Sequence, residues 1–336
     1  MWALQNDTPY AADRGWIRDR RGAHQWVVAI KATYLIAADG SVALADQQAL
    51  PLRAAEHWGD PATTSVRYEA DIGPMKPTTD ILVNASAYAP GGKPRRSVLV
   101  ALRVGSLRKD LVVHGERIYQ RGLAGIAPSE AQPFVSQPIR YEFAFGGTDT
   151  HAEDPRHHGH HPGNPLGCGF VVDRSRLIGR RAPSIEYPAG RDYKLNPAGF
   201  GAIASHWSPR RELAGTYDER WAASRRPLLP EDYDERFTLC APDDQQSQGY
   251  LQGGERVELE HMDASGLLRF ELPAPHFTLS TSFGARREQH VARLATILVE
   301  PDHMRLSMTW QSCVAVPASE VAYLDVTRVQ ELRGVP

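Results

Sequence analysis

The chain lacks long hydrophobic runs, paired cysteines and a large excess of charge of either sign. No apolar stretch approaches the roughly 20 residues that a membrane-spanning helix needs. The three cysteines lie far apart, so neither a disulfide framework nor a zinc ribbon is predicted. The formal net charge of −2 gives no electrostatic reason to expect binding to nucleic acid or to an anionic membrane.

Signals for export and for common catalytic folds are also missing. The first residues show no basic flank followed by an apolar core, so no signal peptide is predicted and a cytoplasmic location is expected. No nucleophile elbow, phosphate-binding loop or dinucleotide fingerprint occurs. Cys168 stands between two glycines, yet a free cysteine is more often a small buried hydrophobe than a nucleophile. We therefore expect no cofactor and no catalytic residue.

Strand signals are abundant. Residues 26–36 are rich in β-branched and aromatic side chains, and the following Asp39-Gly40 suits a tight hairpin. Residues 80–88 are predicted as one strand, and residues 109–120 as two short strands that turn near residue 114. Many short strands with Gly and Pro turns favour a mainly β fold of antiparallel, sandwich-like sheets, with long ordered loops and few short helices.

The pattern divides the chain into three segments. Residues 1–140 are predicted as a β-rich scaffold, residues 141–255 as a loop-rich central segment, and residues 256–336 as a β-rich segment that packs with the first as one compact unit. Helix signals are limited to residues 217–224 and 320–323. A long segment without periodicity is usually functional or disordered, and the many Trp, Tyr, Phe and Leu side chains indicate order. The central segment is therefore the expected functional surface.

The side chains expected to bind a partner combine aromatic and charged groups, because interface centres favour such anchors. They are Lys76, Asp80, Trp207, Arg210, Tyr217, Asp218, Trp221, Asp232 and Phe237. Trp207 and Trp221 have a second interpretation, as core residues that hold the loops together. Lys76 and Asp80 are expected to form a rigid exposed corner, used either as a structural salt link or for recognition.

Three other groups of residues have competing interpretations. The histidines His157, His158, His160 and His161 are weak candidates for a metal site and otherwise form a polar surface loop. The central carboxylates could include a glycosidase pair, or could cap turns and bind arginines to hold the loops in shape. The basic runs at residues 18–21 and 108–109 are expected to be solvated.

Spaced motifs along almost the whole chain resemble a bacterial family that accompanies type VI secretion systems. The motifs are Glu69-x-Asp71-Ile72-x-Pro74-x-Lys76-Pro77-x-x-Asp80, Tyr141-Glu142-x-Ala144-Phe145-Gly146-Gly147, Asn164-Pro165-x-Gly167-x-Gly169-Phe170, Pro197-Ala198-Gly199-Phe200-Gly201, Gly215-Thr216-Tyr217-Asp218-x-x-Trp221, Pro227-Leu228-Leu229-Pro230-x-Asp232-x-Asp234 and Gly253-Gly254-Glu255.

The resemblance implies a non-catalytic effector adaptor or chaperone. Such a protein would bind a toxin with a PAAR-like domain and help to load it onto the VgrG spike. A carbohydrate-active protein, either a glycoside hydrolase or a lectin that uses the loop carboxylates and aromatic side chains, is the alternative from a different class.

Overall fold

A computed structural model describes residues 2–122, 125–188 and 197–332, and it confirms the mainly β fold. The strands are β1 (Ala3–Asn6), β2 (Ala11–Arg18), β3 (His24–Ile36), β4 (Val42–Leu44), β5 (Glu56–His57), β6 (Val66–Tyr68), β7 (Asp80–Val83), β8 (Ser86–Tyr88), β9 (Ser97–Val104), β10 (Leu107–His114), β11 (Tyr119–Gly122), β12 (Gly125–Pro128), β13 (Ser136–Pro138), β14 (Phe145–Gly146), β15 (Thr148–Asp149), β16 (Gly159–His160), β17 (Cys168–Gly169), β18 (Ile185–Glu186), β19 (Arg256–Glu260), β20 (Leu267–Glu271), β21 (Phe277–Phe283), β22 (Arg286–Val291), β23 (Arg293–Glu300), β24 (Arg305–Val316) and β25 (Leu324–Glu331).

Helical elements within the described residues are short. The α-helix is α1 (Glu219–Ser224). The 3-10 turns are Pro90–Gly92, Tyr141–Phe143, Pro155–His157, Arg174–Leu177, Arg210–Ala214, Glu235–Thr238, Asp243–Gln245, Pro301–His303 and Ala318–Tyr323.

The largest sheet has six strands, built from both ends of the chain. Its order is β2-β3-β24-β23-β7, with β4 added beside β3. The long strands β3 and β24 run antiparallel along their whole length, from the pair His24 and Val316 to the pair Leu35 and Arg305. β7 pairs with β23 in parallel, so the residues before the central segment are tied directly to those after it.

Two smaller sheets complete the main core. The five-stranded sheet has the order β18-β10-β9-β19-β20, and the four-stranded sheet has the order β1-β25-β21-β22. In β10, β20 and β21, buried and more exposed positions alternate, as the two-residue period of a half-buried strand requires. The buried side chains of all three sheets meet in one apolar cluster that includes Ile30, Leu102, Leu259, Leu279 and Trp310.

Local expectations were met unevenly. The hairpin around Asp39-Gly40 is present and joins β3 to β4. The single strand expected at residues 80–88 is wrong, because it divides into β7 and β8, which lie in different sheets. The hairpin expected at residues 109–120 is also wrong, because β10 pairs with β9 and β11 pairs with β12. The helix expected at 320–323 is a 3-10 turn.

The other face of the six-stranded sheet is covered by the central segment. A second apolar cluster joins Leu82 of β7 and Leu298 of β23 to Tyr141, Ile203 and Trp207. Trp207 is only 1% exposed, and its ring meets Tyr141 edge to face with the centroids 5.6 Å apart. The sheet therefore has two buried faces, which is why β3 is buried at nearly every position.

Candidate functional site

Alternate side chains of β3 and β24 place polar groups on the face that the central segment covers. Lys31 of β3 and Thr309 of β24 both contact Asp71, which lies in the loop before β7. The Lys31 Nζ to Asp71 Oδ2 distance is 2.7 Å, and Thr309 Oγ1 donates to Asp71 Oδ1 at 2.9 Å. An ionised pair is stable in such a place only when its remaining hydrogen-bonding groups also have partners.

Lys76 and Asp80 form a second buried pair, so the expectation of an exposed corner was wrong. The two side chains are 5% and 0% exposed, and Lys76 Nζ lies 2.6 Å from Asp80 Oδ2. Asp80 also accepts the backbone N–H groups of Cys240 and Ala241 at 2.8 and 3.1 Å. The salt link that was one of the two interpretations is present, but it lies inside the protein.

The environment of this pair shifts the pKa of Lys76 and of a neighbouring thiol. Burial opposes the charge of Lys76, but the nearby Asp80 carboxylate outweighs burial and raises the pKa of the lysine. Burial raises the pKa of the neighbouring Cys240 thiol, and Asp80 adds to that shift. Cys240 is therefore a protonated thiol next to a charged pair at neutral pH, without the thiolate that nucleophilic chemistry requires.

Arg210 ties three loops together from within. Its guanidinium pairs with Glu69, and it donates to the carbonyl oxygens of Phe237 and Ile203 at 2.8 and 2.9 Å. Burial opposes the charge of Arg210, whereas Glu69 stabilises it, and the net result is a raised pKa. The Phe237 ring lies 5.3 Å from the Arg210 guanidinium carbon, as in a cation–π contact.

These charged pairs underlie a cleft of about 420 Å³, which we name the central cleft. Its floor and its mouth are polar, and its walls are mainly apolar. The lining residues are Arg18, Asp19, Glu69, Ala70, Ile72, Gly73, Pro74, Lys76, Arg210, Ala214, Tyr217, Pro227, Leu228, Leu229, Tyr233, Phe237, Thr238 and Gln311. Its volume falls within the roughly 300–1,000 Å³ of ligand-binding pockets.

One wall of the cleft is held in place by contacts at both ends. At one end, Thr216 donates its backbone N–H and its hydroxyl to Asp232 at 2.9 and 2.7 Å. The preceding Gly215 has a φ of +83°, and a Cβ there would lie 2.7 Å from Pro230 Cβ. At the other end, Arg225 donates to the carbonyl oxygen of Arg20 at 2.7 Å. The wall is thus a fixed loop structure.

The candidate residues from the sequence fall into three places. The central cleft is lined by Lys76, Arg210, Tyr217 and Phe237, with Asp80 beneath it as the buried partner of Lys76. A second hollow, on the other side of the same wall, contains Asp218, Trp221 and Asp232. Trp207 lies in the second apolar cluster and so takes the core role that was its alternative interpretation. Tyr217 is the most accessible aromatic candidate, with 53% of its surface exposed.

The carboxylates of the second hollow act as caps. Asp218 accepts the backbone N–H of Trp221 at 2.8 Å and begins helix α1. Hydrogen bonds from the Thr216 backbone N–H and hydroxyl lower the pKa of Asp232. A glycosidase needs one carboxylic acid with a raised pKa, and Asp232 is shifted in the opposite direction. Both side chains behave as the loop-shaping alternative describes.

The geometry of the histidine-rich loop does not favour metal binding, and the environment of Cys168 does not favour a nucleophilic thiolate. His157, His158 and His160 are exposed, whereas His161 is buried and packs against Phe145 with the ring centroids 5.4 Å apart. Within residues 2–122, 125–188 and 197–332, no group of three or more His, Cys, Asp or Glu side chains has metal-binding geometry. Burial raises the pKa of the Cys168 thiol to about 11, which suppresses the reactive thiolate.

Several contributing residues were not singled out from the sequence as site residues. Glu69 lines the central cleft as the acidic partner of Arg210, and Leu228 and Tyr233 contribute to its apolar wall. Asp71 does not line the cleft and pairs with Lys31 instead. The sequence did contain a signal for these residues, the spacing Glu69-x-Asp71 before Lys76-x-x-x-Asp80. A Pro-containing segment with four charged side chains needs buried partners of opposite charge if other parts of the chain cover it. Lys109, expected to be solvated, is also buried and lies 2.9 Å from Asp244.

The chain matches the model of a known protein family. The model of DUF2169, described as an uncharacterized protein conserved in bacteria, matches residues 21–311. The chain belongs to the DUF2169 family. The matched region contains every residue of the central cleft of this DUF2169 protein except Arg18 and Asp19. No curated protein and no solved structure matches the chain.

The described part of this DUF2169 protein contains no helix with the length and apolar character needed to cross a bilayer. Chemically, its central cleft is suited to binding. Each charged group in the floor has an opposite charge beside it, and the walls offer aromatic and aliphatic surface. A ligand that fills the cleft would gain mainly from apolar burial, at about 25 cal/mol per Å².

Proposed function

We propose that this protein is a non-catalytic adaptor of type VI secretion that binds a PAAR-like toxin and helps to load it onto the VgrG spike. The family resemblance suggests the class of partner. The observation that supports a binding role is the central cleft, an apolar-walled depression on a loop surface fixed by buried ion pairs. Preorganised loops favour binding because little conformational entropy is lost on association.

The position of Tyr217 strengthens the case for a protein partner. This side chain is half exposed at the cleft wall and meets the Trp221 ring edge to face, with the centroids 4.7 Å apart. Trp221 Nε1 donates to the carbonyl oxygen of Leu228 at 2.8 Å, which fixes the indole. Rigid aromatic side chains beside a pocket are typical anchors of protein interfaces.

The carbohydrate-active alternative has less support. It would use the second hollow, where Asp218 and Asp232 already accept hydrogen bonds from the backbone. Hydrolysis of a glycan panel by the wild-type protein, abolished in Asp232→Asn, would favour that alternative. Without turnover in the wild type, the adaptor remains the better supported function.

The direct test is co-expression of the full chain with a toxin from the same bacterium that carries a PAAR-like domain. We expect a complex of defined stoichiometry that co-elutes on size-exclusion chromatography, with a measurable affinity by calorimetry. A toxin that is folded and abundant but elutes separately, at micromolar concentrations of both proteins, would contradict the proposal.

A matched pair of tyrosine variants locates the interface. Tyr217→Ala removes an exposed ring (53%) from the cleft wall, whereas Tyr323→Ala removes a somewhat more exposed ring (62%) from a 3-10 turn beside β25. We expect Tyr217→Ala to weaken toxin binding by at least about tenfold, or ~1.4 kcal/mol. Tyr323→Ala should bind like the wild type. Equal affinities of both variants would place the interface elsewhere.

A further inference from the structure

The mouth of the central cleft carries a cluster of exposed arginines that we name the arginine rim: Arg18, Arg20, Arg21 and Arg226. Arg18 lines the cleft, and Arg226 precedes the lining residue Pro227. Arg20 and Arg21 lie in the turn between β2 and β3, whose Arg20 carbonyl oxygen accepts a hydrogen bond from Arg225. The two chain segments are therefore joined at the edge of the cleft.

The turn between β2 and β3 also packs directly against the apolar wall of the central cleft. Gly22 has a φ of +83°, and a Cβ at this position would lie 2.8 Å from Cδ2 of the wall residue Leu228. The turn that carries Arg20 and Arg21 thus contacts the same leucine that a ligand in the cleft would contact. The apolar surface and the positive charge belong to one continuous surface.

The charges of the rim are not neutralised by neighbouring carboxylates. Among the described residues, none of the four guanidinium groups has an Asp or Glu oxygen within 4.0 Å. Asp19 lies between them, and its carboxylate accepts the backbone N–H groups of Arg21 and Ala23 at 2.8 and 2.9 Å. Glu231 is 3.8 Å from Arg225, which is not in the rim. The rim is locally positive on a chain whose formal net charge is −2.

The floor of the cleft differs from the rim because its charges are paired. Lys76 is paired with Asp80, and Arg210 is paired with Glu69, so the floor presents no net charge to a ligand. A phosphate or another compact anion would find its binding groups only at the rim. A peptide segment of a partner could bind to both regions. Its apolar side chain would lie between the apolar walls, and its carboxylates would lie at the mouth, beside the arginine rim. Arginine is suited to this role because its planar group binds carboxylates through two parallel hydrogen bonds.

From this geometry we propose that the occupant of the central cleft is an acidic segment of the partner protein, in which Asp or Glu residues flank a large apolar side chain. The inference rests on the proposed adaptor function and defines the chemistry of its docking segment. The apolar side chain fills the cleft between Leu228, Phe237 and Ile72. The flanking carboxylates bind the arginine rim, accelerate association and make it dependent on salt.

The first experiment uses the complex with the PAAR-like toxin and a double charge reversal, Arg20→Glu with Arg21→Glu. We expect the association rate to fall about tenfold or more and its dependence on NaCl concentration to flatten. The control is Arg174→Glu with Arg180→Glu, two exposed arginines far along the chain that also have no Asp or Glu of the described residues within 4.0 Å. If both double variants associate like the wild type while the complex still forms, the acidic-segment inference fails and the adaptor function survives.

The second experiment does not require the toxin. A random peptide library displayed on phage is selected on the immobilised full chain, and bound phage are counter-screened on Leu228→Asp. We expect sequences enriched in Asp and Glu around an aromatic or aliphatic residue, with binding lost in both the Leu228→Asp and the Arg20→Glu/Arg21→Glu proteins. Enrichment of neutral or basic sequences, or no enrichment that depends on Leu228, would overturn the inference.

A third measurement separates the acidic protein segment from other polyanions. A fluorescent single-stranded oligonucleotide is titrated into the wild-type protein and into the charge-reversed protein at physiological salt. We expect binding at least about a hundredfold weaker than that of the selected acidic peptide. An oligonucleotide that binds as tightly as the peptide, and that loses binding on charge reversal, would assign the rim to nucleic acid and overturn the proposal.

Discussion

The two buried faces of the six-stranded sheet are stabilised by different physics. One face packs against the five- and four-stranded sheets through aliphatic and aromatic side chains such as Ile30 and Trp310. The other face meets the loops through a smaller apolar cluster and, in addition, through buried ion pairs, of which Lys31 with Asp71 and Lys76 with Asp80 are examples. The apolar face gains free energy from burial in any tight arrangement, whereas the charged face is stable in one arrangement only. Because the ion pairs allow only one arrangement, irregular loops can hold a cleft of fixed shape.

The largest expected effect on stability comes from removing one member of a buried ion pair. Asp80→Ala leaves Lys76 buried without its counter-ion and removes the acceptor of two backbone N–H groups. We expect a loss of about 3–5 kcal/mol in the free energy of unfolding, measured by urea denaturation. A second substitution, Lys76→Met, should restore part of that loss, because the charge that lacked a partner is removed.

The control for Asp80 is Asp39→Ala, which changes an exposed aspartate in the hairpin between β3 and β4. Asp39 accepts hydrogen bonds from the backbone N–H and the hydroxyl of Ser41 in this turn, so the variant should lose a little stability, but far less than Asp80→Ala. If Asp80→Ala behaved like Asp39→Ala, the ion pair would not stabilise the loop face, and the contrast between the two faces would be wrong.

On the apolar face, Leu259→Ala should cost about 2–5 kcal/mol, because it creates a cavity in the main core. Leu259 is fully buried in β19, whereas Leu267 in the adjacent strand β20 is 40% exposed and serves as the matched control. Unlike the charged pair, the loss at Leu259 should not be recovered by removing a second residue beside it. Equal losses in the two leucine variants, measured by calorimetry, would contradict the assignment of the core.

The apolar side also holds one polar chain, and its groups are neutral. Ser312 donates its hydroxyl hydrogen to the Val291 carbonyl oxygen at 2.8 Å, so its oxygen must accept from His290 Nδ1 at 2.6 Å. His290 Nε2 is then the acceptor for Thr281 Oγ1 at 2.8 Å. Burial lowers the pKa of His290 to about 4, and the nearby Glu288 carboxylate counteracts only part of that shift.

This histidine predicts an acid-sensitive stability. Unfolded His290 takes up a proton below about pH 6.5, whereas in the folded protein it does so only below about pH 4. Stability from this group is therefore complete above pH 6.5 and is lost as the pH falls towards 4, by about 3 kcal/mol at most. His290→Gln should flatten the difference in unfolding free energy between pH 7 and pH 4.5. An unchanged pH profile would show that the ring is solvated.

The smallest expected effect on stability is at the cleft wall. Tyr217→Ala should lower the free energy of unfolding by no more than about 1 kcal/mol, because the side chain is half exposed and the ring contact that it loses is with the half-buried Trp221. A melting temperature within a few degrees of the wild type would check this. A large loss would show that Tyr217 belongs to the packed structure, and the binding test with this variant would then need Leu228→Asp instead.

Part of this architecture was predictable. The strands around residues 26–36 and the Asp39-Gly40 hairpin follow from alternation and turn chemistry, which act over a few residues. The division of residues 80–88 into β7 and β8 was not predictable, since the two halves pair with strands that begin far away in the sequence. Likewise, β10 pairs with β9 instead of turning back on itself, because β9 offers a longer complementary partner.

The candidate site shows the same limit. The aromatic and charged residues of the central segment were recognised, yet Trp207 lies in a core and Tyr217 lines a cleft, although both are aromatic residues of one loop region. The burial of Lys76 and Asp80 could not be inferred from their spacing, because the groups that satisfy Asp80 come from residues 240 and 241. Contacts across such distances leave no local pattern.

By itself the sequence determined a β-rich protein with an irregular middle, since side-chain alternation and the turn preferences of Gly, Pro, Asn and Asp are local properties. Only the tertiary structure decided that the polar face of β3 and β24 is covered, that its charges are paired, and that a cleft opens above them. The physical reason is that a buried charge is stable only beside a partner, and here the partners come from distant parts of the chain.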